Sequence, residues 1–515
     1  MAKNNAIQRI YRLRNSCIQY CSAEPVLVLA ISAIPLELKA KQLIRQRDGD
    51  ILPNDRDRKK FAWEPGQSYK LEITDLNHRG EGVGKVSGFT LFVPGALPGE
   101  IVEALITKTH QNYAETTLLS KISSSPYLVK PPCPYFNACG GCQLQHLQYD
   151  KQLAWKHNMV TETLRRIAGV EPVIKPPLGM DNPWCYRNKA QIHLGLKKGS
   201  ITAGFYETKS RRIINIEECL VQHPSNSRAI NAIRRALQQY IGKENLTTPG
   251  NLPITGAAIR ASFTKTECLV TLGGSEKNGR PKDENLKKLA ELINAETGNQ
   301  TTGVVFQQGG KKGICDLTLF GQSYIEEDIA PFRYRISPQS FFQVNSAQAA
   351  VLYEQAASMA GSPKSAYDLY CGTGNFSLYL SMKANQVIGI DSSRAAIADA
   401  RVNASVNSVE NIKFIKARTE DISDLLLAGS HPKTIFLNPP RKGCSKNLLD
   451  TVAEAKPERI VYISCNPATL ARDLKHLHQY NYSVTLVQPV DMFPHTSHIE
   501  TITLLQNKFN IWGQA

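Results

Sequence analysis

Tyr367-Asp368-Leu369-Tyr370-Cys371-Gly372-Thr373-Gly374-Asn375-Phe376 decides the fold of the last third of the chain. Its apolar start, Ala366–Leu369, reads as a buried strand, and a helical pattern follows the glycines, which let the backbone pass close to a ligand. The next apolar run ends in Gly389-Ile390-Asp391. An acid at the end of a second strand suits a ribose diol. Outward from this loop, residues 345–515 alternate helical patterns with short apolar runs: Ala366–Leu369, Gln386–Ile390, Asn411–Ile415, Thr434–Leu437, Ile460–Ile463, Val484–Val487 and Thr501–Leu505. That alternation predicts βαβ units and a largely parallel sheet.

The loop lacks the third glycine of a dinucleotide fingerprint. It resembles the acidic-x-x-x-Gly-x-Gly loop of class I methyltransferases that bind S-adenosylmethionine. A second site follows the run Arg459–Ile463, at Ser464-Cys465-Asn466-Pro467. Carboxyl ends of strands line the ligand crevice in doubly wound sheets, so a cofactor loop and a candidate thiol nucleophile share one rim. An isolated Cys is more often packing. Cys465 differs by its neighbours, a proline expected to stop helix continuation and Arg472 nearby in sequence, and cationic surroundings lower a thiol pKa. Farther on, Asp491-Met492-Phe493-Pro494-His495-Thr496-Ser497-His498-Ile499-Glu500 gathers acids and imidazoles before the final strand. Glu500 either faces the same rim or is a solvated strand-edge carboxylate.

Size and charge bound the remainder. A chain of 515 residues exceeds one hydrophobic core and predicts several domains. With 42% hydrophobic and 21% charged residues, composition is that of a soluble globular protein rather than a fibrous or disordered one. The 61 Lys+Arg against 45 Asp+Glu leave +16, which favours a polyanionic partner because phosphate contacts release condensed counterions. No run is long enough to span a bilayer. The 12 cysteines cluster instead of taking the spacings of small secreted domains. A monomer in the reducing cytosol, without a membrane partner, is expected.

Residues 1–63 carry Arg9, Arg12 and Arg14, a short apolar stretch Pro25–Leu36, and the charged run Asp55–Lys60; they read as a poorly ordered extension with a superficial likeness to a targeting peptide. From Gly66 the character changes. Tyr69–Ile73 alternates as a half-buried strand should, Gly80–Gly84 reads as a turn, and Thr90–Val93 and Glu100–Ile106 follow. This predicts a small β-barrel of the oligonucleotide-binding kind over residues 64–122, with His78, Arg79, Lys85 and Phe89 near its glycine turn available to phosphates and bases. Pro131-Pro132 marks a boundary. Residues 145–168 read as helix, and a mixed region runs on to about Ile336. In Cys133-x5-Cys139-x2-Cys142, Gly140-Gly141 lets a loop wrap thiolates round a metal. A fourth ligand is needed, and four thiolates suit zinc and an iron–sulfur cluster alike.

Phe342-Gln343-Val344-Asn345, the glycine loop, Ser464-Cys465-Asn466-Pro467-Ala468-Thr469-Leu470-Ala471-Arg472-Asp473 and the stretch His495–Glu500 together resemble the RNA (uracil-C5)-methyltransferases. The likeness covers about residues 64–510 and is strongest to the RlmD (RumA-type) 23S rRNA enzymes. It implies an α/β C-terminal class I (Rossmann-like) methyltransferase domain at 345–515. It further implies an N-terminal OB-like TRAM β-barrel at 64–122 and a central α+β iron–sulfur domain at 123–344. The resemblance implies S-adenosylmethionine as methyl donor, Cys465 as the nucleophile that attacks uracil C6, and Glu500 as the base that removes the C5 proton. Gln343, Tyr370, Asn375 and Asp391 match the family's cofactor contacts, and Cys219 becomes the fourth ligand, tipping the thiolate set toward a [4Fe–4S] cluster. A stem-loop of 23S rRNA is the implied partner, and Trp184, Arg187, Lys189, Arg211 and Arg212 are candidates to hold it.

Two positions depart from the family. Asn438 stands where an aspartate is usual, in Asn438-Pro439-Pro440-Arg441, and Arg418 stands where a shorter polar cofactor contact is common. Asn keeps the shape and hydrogen bonding of Asp without its charge. Asn438-Pro439-Pro440 is also similar to a motif of adenine-N6 methyltransferases, but Arg441 replaces the stacking aromatic and those enzymes need no thiol. The alternatives are a tRNA uracil-C5 methyltransferase and an RNA-binding or folding factor with weakened catalysis.

Overall fold

The computed structural model describes residues 63–243, 252, 254–265, 267–274, 281–310, 313–427 and 432–507. Of the extension expected at 1–63, all but Trp63 lies outside the described residues. The chain divides into two compact units, Met1–Pro126 and Tyr127–Ala515.

In the first unit, β1 (Ser68–Leu76), β2 (Gly82–Val86), β3 (Phe89–Val93), β4 (Ile101–Thr109) and β5 (Tyr113–Ser123) close into a barrel in the order β1-β2-β3-β5-β4. Period-2 alternation turns Leu71, Ile73, Leu91, Val93, Val102, Ala104 and Ile106 inward. The expected glycine turn is shorter than its sequence suggests. Asn77 Oδ1 accepts from the N–H groups of Arg79 and Glu81 at 2.9 and 3.1 Å, which ends the turn before Gly82. Gly84 lies within β2, where a Cβ would sit 2.5 Å from the Glu72 carbonyl oxygen; the glycine lets β1 and β2 close. Trp63 stacks on Phe89 at 4.7 Å, so that ring is partly covered by chain assigned to the extension. The polar strand β5 had no signal in the sequence.

The second unit contains two large sheets. Its first helix, α1 (Tyr149–Thr163), leads to a short strand, β6 (Val173–Ile174). The mixed region resolves into β7 (Lys189–Lys197), β8 (Ser200–Tyr206), β9 (Ile213–Asn215), α2 (Pro224–Lys243), β10 (Ile254–Ala261), β11 (Cys268–Gly274), α3 (Asp283–Glu296), β12 (Thr301–Gly310) and β13 (Gly313–Gly321). These strands form a sheet in the order β13-β12-β11-β10-β7-β8-β9. Ile230, Ile233 and Leu237 of α2, with Leu286, Leu289 and Ile293 of α3, pack against Ile192, Leu194, Ile259 and Val270 of that sheet. A hairpin of β14 (Ile325–Ile329) and β15 (Phe332–Ile336) follows.

The last segment holds α4 (Ser346–Ala360), β16 (Ser365–Leu369), α5 (Asn375–Ser381), β17 (Gln386–Asp391), α6 (Arg394–Val406), β18 (Ile412–Lys416), α7 (Ser423–Leu427), β19 (Thr434–Leu437), α8 (Lys446–Glu454), β20 (Arg459–Ser464), α9 (Pro467–His478), β21 (Tyr482–Val490) and β22 (Glu500–Asn507). Every strand read from the apolar runs is present. The sheet order is β18-β17-β16-β19-β20-β22-β21-β6. Strands β16 to β20 pair in parallel, and β22 runs antiparallel to both β20 and β21. The order reverses between β16 and β19, which opens a crevice at the carboxyl ends. Strand β6 adds itself parallel to β21, so the chain before residue 345 supplies one edge of this sheet. No helix among the described residues is long and apolar enough to cross a membrane.

Candidate active site

The reversed strand brings the two expected catalytic groups together. In the antiparallel pair β20–β22, Ser464 lies opposite Thr501, so Cys465, just past the end of β20, comes near Glu500 at the start of β22, and the Glu500 charge acts on its thiol. Glu500 is fixed from its other side by pairing with Val490. Cys465 is half-buried and Glu500 is buried. Burial pushes the Cys465 thiol up to about 11, the Glu500 carboxylate adds to the rise, and the Arg441 guanidinium opposes it. Burial likewise holds the Glu500 carboxyl near 8, again with Arg441 pulling down. At neutral pH both groups are therefore mainly protonated, with Arg441 the cation that acts on both.

The motif after Cys465 builds the Arg441 turn. Pro467 does not stop a helix, as its position suggested; it opens α9 at the first helical position, behind Asn466, whose side chain accepts from the Ala468 N–H at 3.1 Å. Proline is favoured there because its missing N–H is one that a helix start leaves unpaired anyway. Asn466 Nδ2 and Thr469 Oγ1 both donate to the Arg441 carbonyl at 3.2 Å. Arg472 Nη2 donates to the Lys442 and Cys444 carbonyls at 3.0 and 3.1 Å. Buried Asp473 accepts from the Cys444 N–H at 2.9 Å and from the Tyr462 hydroxyl at 2.6 Å. The expected thiol partner Arg472 thus shapes the turn, and Arg441, from the turn after β19, supplies the charge. Arg441 Nη2 also lies 3.3 Å from His498 Nε2.

The glycine loop runs from the end of β16. Tyr370, Gly372 and Gly374 all have positive φ, at 65°, 56° and 79°. No atom lies within 4 Å of a Cβ built at Gly372, so this bend faces open space. Asp391, at the end of β17, holds the loop by accepting from the Gly372 N–H at 3.0 Å and from the Ser393 N–H at 2.8 Å. Asn438 follows β19 and donates its N–H to the Leu369 carbonyl at 3.3 Å. Tyr370, Asp391, Asn438 and Cys465 therefore all stand at strand ends on one edge. Asn375 turns inward instead, donating to the Tyr353 hydroxyl at 3.0 Å and accepting from Thr373 at 2.9 Å. Gln343 is buried, its carbonyl accepting from Asn188 Nδ2 at 2.9 Å. Arg418 faces Glu420 and Asp421 at 3.9 and 3.7 Å. Phe341, which the sequence reading passed over, is 68% exposed beside buried Phe342.

Cys133, Cys139, Cys142 and Cys219 line one cavity of about 190 Å³ with Arg187, Lys189 and Gln145. Backbone pairing brings the distant Cys219 segment in: Cys185 and Arg187 donate to the carbonyls of Leu220 and Val221, both at 2.9 Å. Burial, with a smaller contribution from neighbouring thiols, raises the Cys142 and Cys219 thiols to about 11 and about 12. Arg187 Nε and Gln145 Oε1 are buried without hydrogen-bond partners. Among the described residues no group of three or more His, Cys, Asp and Glu side chains is poised on a single metal ion. Of the residues expected to hold RNA, Arg212 is paired with Glu207, burial lowers Lys189 to about 8, and Trp184 stacks on His495 at 3.9 Å.

Comparison with known proteins adds three kinds of likeness. A family model described as tRNA (Uracil-5-)-methyltransferase matches residues 148–508, and one described as TRAM domain matches residues 62–119. An uncharacterized RNA methyltransferase of Clostridium tetani is 39% identical over 463 residues, covering 87% of this chain and 98% of that protein. One of Listeria innocua is 40% identical over 451 residues, covering 86% and 98%. The crystal structure of Pyrococcus abyssi tRNA (uracil-54, C5)-methyltransferase in complex with S-adenosyl-L-homocysteine is similar with a TM-score of 0.65 and 27% identity, over 85% of this chain and 100% of that one.

Proposed function

The chain belongs to the tRNA (uracil-5-)-methyltransferase family and carries a TRAM domain, and from that premise we propose that it methylates uracil C5 in 23S rRNA through a covalent Cys465 adduct. The observation that carries this reading is the approach of Cys465, just past β20, to Glu500 at the start of β22, with Arg441 acting on both. Uracil C5 is a weak nucleophile. Addition of the Cys465 sulfur to C6 makes an S–C6 bond and pushes the ring electrons toward C5 and the C4 carbonyl. S-adenosylmethionine, when bound at the Gly372–Gly374 loop, supplies an electrophilic methyl group for C5. Glu500 then takes the C5 proton, the C5–C6 double bond re-forms, and Cys465 leaves as thiolate. The resting thiol and carboxyl are both protonated, so each first gives its proton to solvent, Glu500 being a carboxylate when it takes the C5 proton, and Arg441 is the charge that favours ionisation of each. The open bend at Gly372 and the acid at the end of β17 suit the cofactor.

A stacked uracil must leave its stack to reach a half-buried thiol, and exposed Phe341 offers a ring face to a splayed base. A single-stranded or loop target in rRNA suits this. The reading places a monomer in the cytosol, where Cys465 stays reduced. A tRNA target is the second reading, favoured by the tRNA enzyme of Pyrococcus abyssi among similar structures. Incubation with methyl-labelled cofactor and separate rRNA and tRNA pools should label 23S rRNA at uracil C5. Label in tRNA alone reverses the choice of substrate.

The four thiols, with Arg187 and Lys189 beside them, fit a [4Fe–4S] cluster better than one ion: a cluster is larger, and its tetrathiolate form is anionic. Cys133, Cys139, Cys142 and Cys219 would hold it and leave no open coordination position, so its contribution is to order the RNA-facing loop. Protein purified without oxygen should contain about four irons per chain. Stoichiometric zinc with no iron contradicts the assignment.

A further inference from the structure

The segment that carries the base is held by residues more than three hundred positions away in sequence. Tyr149, Gln152 and Lys156 recur at helical spacing on one face of α1. Lys156 Nζ donates to Asp491 Oδ1 at 2.7 Å, with both side chains 0% exposed, and to the Phe493 carbonyl at 3.2 Å. The Tyr149 hydroxyl donates to the other Asp491 oxygen at 2.8 Å. Gln152 grips His495 twice: its Oε1 accepts the His495 N–H at 3.0 Å, and its Nε2 lies 3.2 Å from His495 Nδ1. The His495 carbonyl accepts from the N–H groups of Gln143 and Leu144 at 3.0 and 2.9 Å. Gln152 Nε2 also reaches the carbonyls of Leu144 and Leu147, at 2.9 and 2.8 Å, so one amide ties both sides of this junction.

His495 itself is an unusual hinge. Its φ is +65°, a conformation uncommon for residues other than glycine and asparagine. Burial and the Lys156 charge hold its imidazole down to about 3, so it stays neutral. Buried polar groups specify one arrangement in so far as they are matched; here the backbone and Nδ1 of His495 are matched, while its Nε2 is buried without a partner. Five residues after the hinge, the chain enters β22 at Glu500.

We propose that Gln152 is a positioning residue: by clamping His495 it sets the placement of Glu500 against the C5 proton, so proton removal and release of Cys465 depend on α1. This rests on the function proposed above. The clamp lies on the base side of the site. Cys465 lies between β20 and α9, and the glycine loop between β16 and α5, so adduct formation and methyl transfer are largely independent of it.

Gln152→Leu preserves size and removes the clamp. His495→Asn is the second variant, because asparagine tolerates positive φ and keeps the backbone bonds to Gln152, Gln143 and Leu144 while losing the ring. With methyl-labelled cofactor and substrate rRNA, rapid quench into denaturant separates labelled RNA still bound to protein from released product. In both variants elimination should slow by on the order of 10- to 100-fold. The first appearance of label in RNA should change by less than about threefold, and labelled adduct should accumulate. Parallel loss of both steps with a lowered melting temperature indicates a merely structural role and overturns the proposal. So does an unchanged partition in folded variants that still methylate RNA. If the unsubstituted protein transfers no methyl group to any RNA, the proposed function fails, and the clamp with it.

Discussion

Cys465→Ser is expected to lower methyl transfer to uracil by on the order of 10⁴-fold or more, with little change in folding. Serine is close in size, and the half-buried Cys465 side chain contributes little to packing. What changes is ionisation. Burial places the thiol near 11, within reach of a cation and of the charge changes that substrate binding brings, whereas an alkoxide needs several further units of stabilisation. Arg441 is pinned above this position through its carbonyl by Asn466 and Thr469, so the serine variant retains the whole electrostatic frame and lacks only the atom. Single-turnover methyl transfer checks the loss, and thermal melting with equilibrium binding of cofactor checks that the fold survives. Turnover within about tenfold of the unsubstituted protein contradicts a covalent route.

Glu500→Gln should permit methyl transfer and stop the reaction one step later. Glutamine preserves shape within the buried position and cannot accept the C5 proton, so elimination should fall by roughly 10²- to 10⁴-fold. Methylated RNA then accumulates bound to Cys465 and survives denaturant. The carboxyl is held near 8, and a raised carboxyl is ionised only as pH climbs toward that value. Elimination in the unsubstituted protein should therefore rise roughly tenfold per pH unit below about 8 and level above it, and Glu500→Gln should abolish that dependence. Normal release of product by the variant excludes Glu500 as the base. Gln152→Leu should resemble a milder Glu500→Gln.

The strands of the catalytic sheet were legible because buried parallel strands are continuous apolar runs, bounded by turns. Strand β6 and barrel strand β5 were not: one is two residues long, the other largely polar, and both are strands only because a neighbouring edge pairs with them. The candidate nucleophile, the candidate base and the glycine loop could be picked out in the sequence, but the approach of Cys465 to Glu500 could not, since it depends on the pairing of β20 with β22. Proximity along the chain misled in one case. Arg472 was assigned to the thiol because it lies seven positions on, and it is spent on carbonyls of the 441–444 turn, while Arg441 arrives from another strand end. The motif's polar residues thus act on the turn rather than on the substrate. The α1 clamp was invisible for a similar reason: Tyr149, Gln152 and Lys156 are unremarkable on a helix until the buried partners on the 491–495 segment are known.

The central claim is a bond between the Cys465 sulfur and the pyrimidine ring. RNA substrate carrying 5-fluorouridine blocks proton removal, because fluorine replaces the hydrogen that Glu500 must take. After reaction with cofactor, digestion and mass spectrometry should find a methylated fluorouridine on the peptide containing Cys465. A stable adduct on another cysteine, such as Cys371 or Cys444, or no adduct from protein that methylates ordinary RNA, contradicts the account.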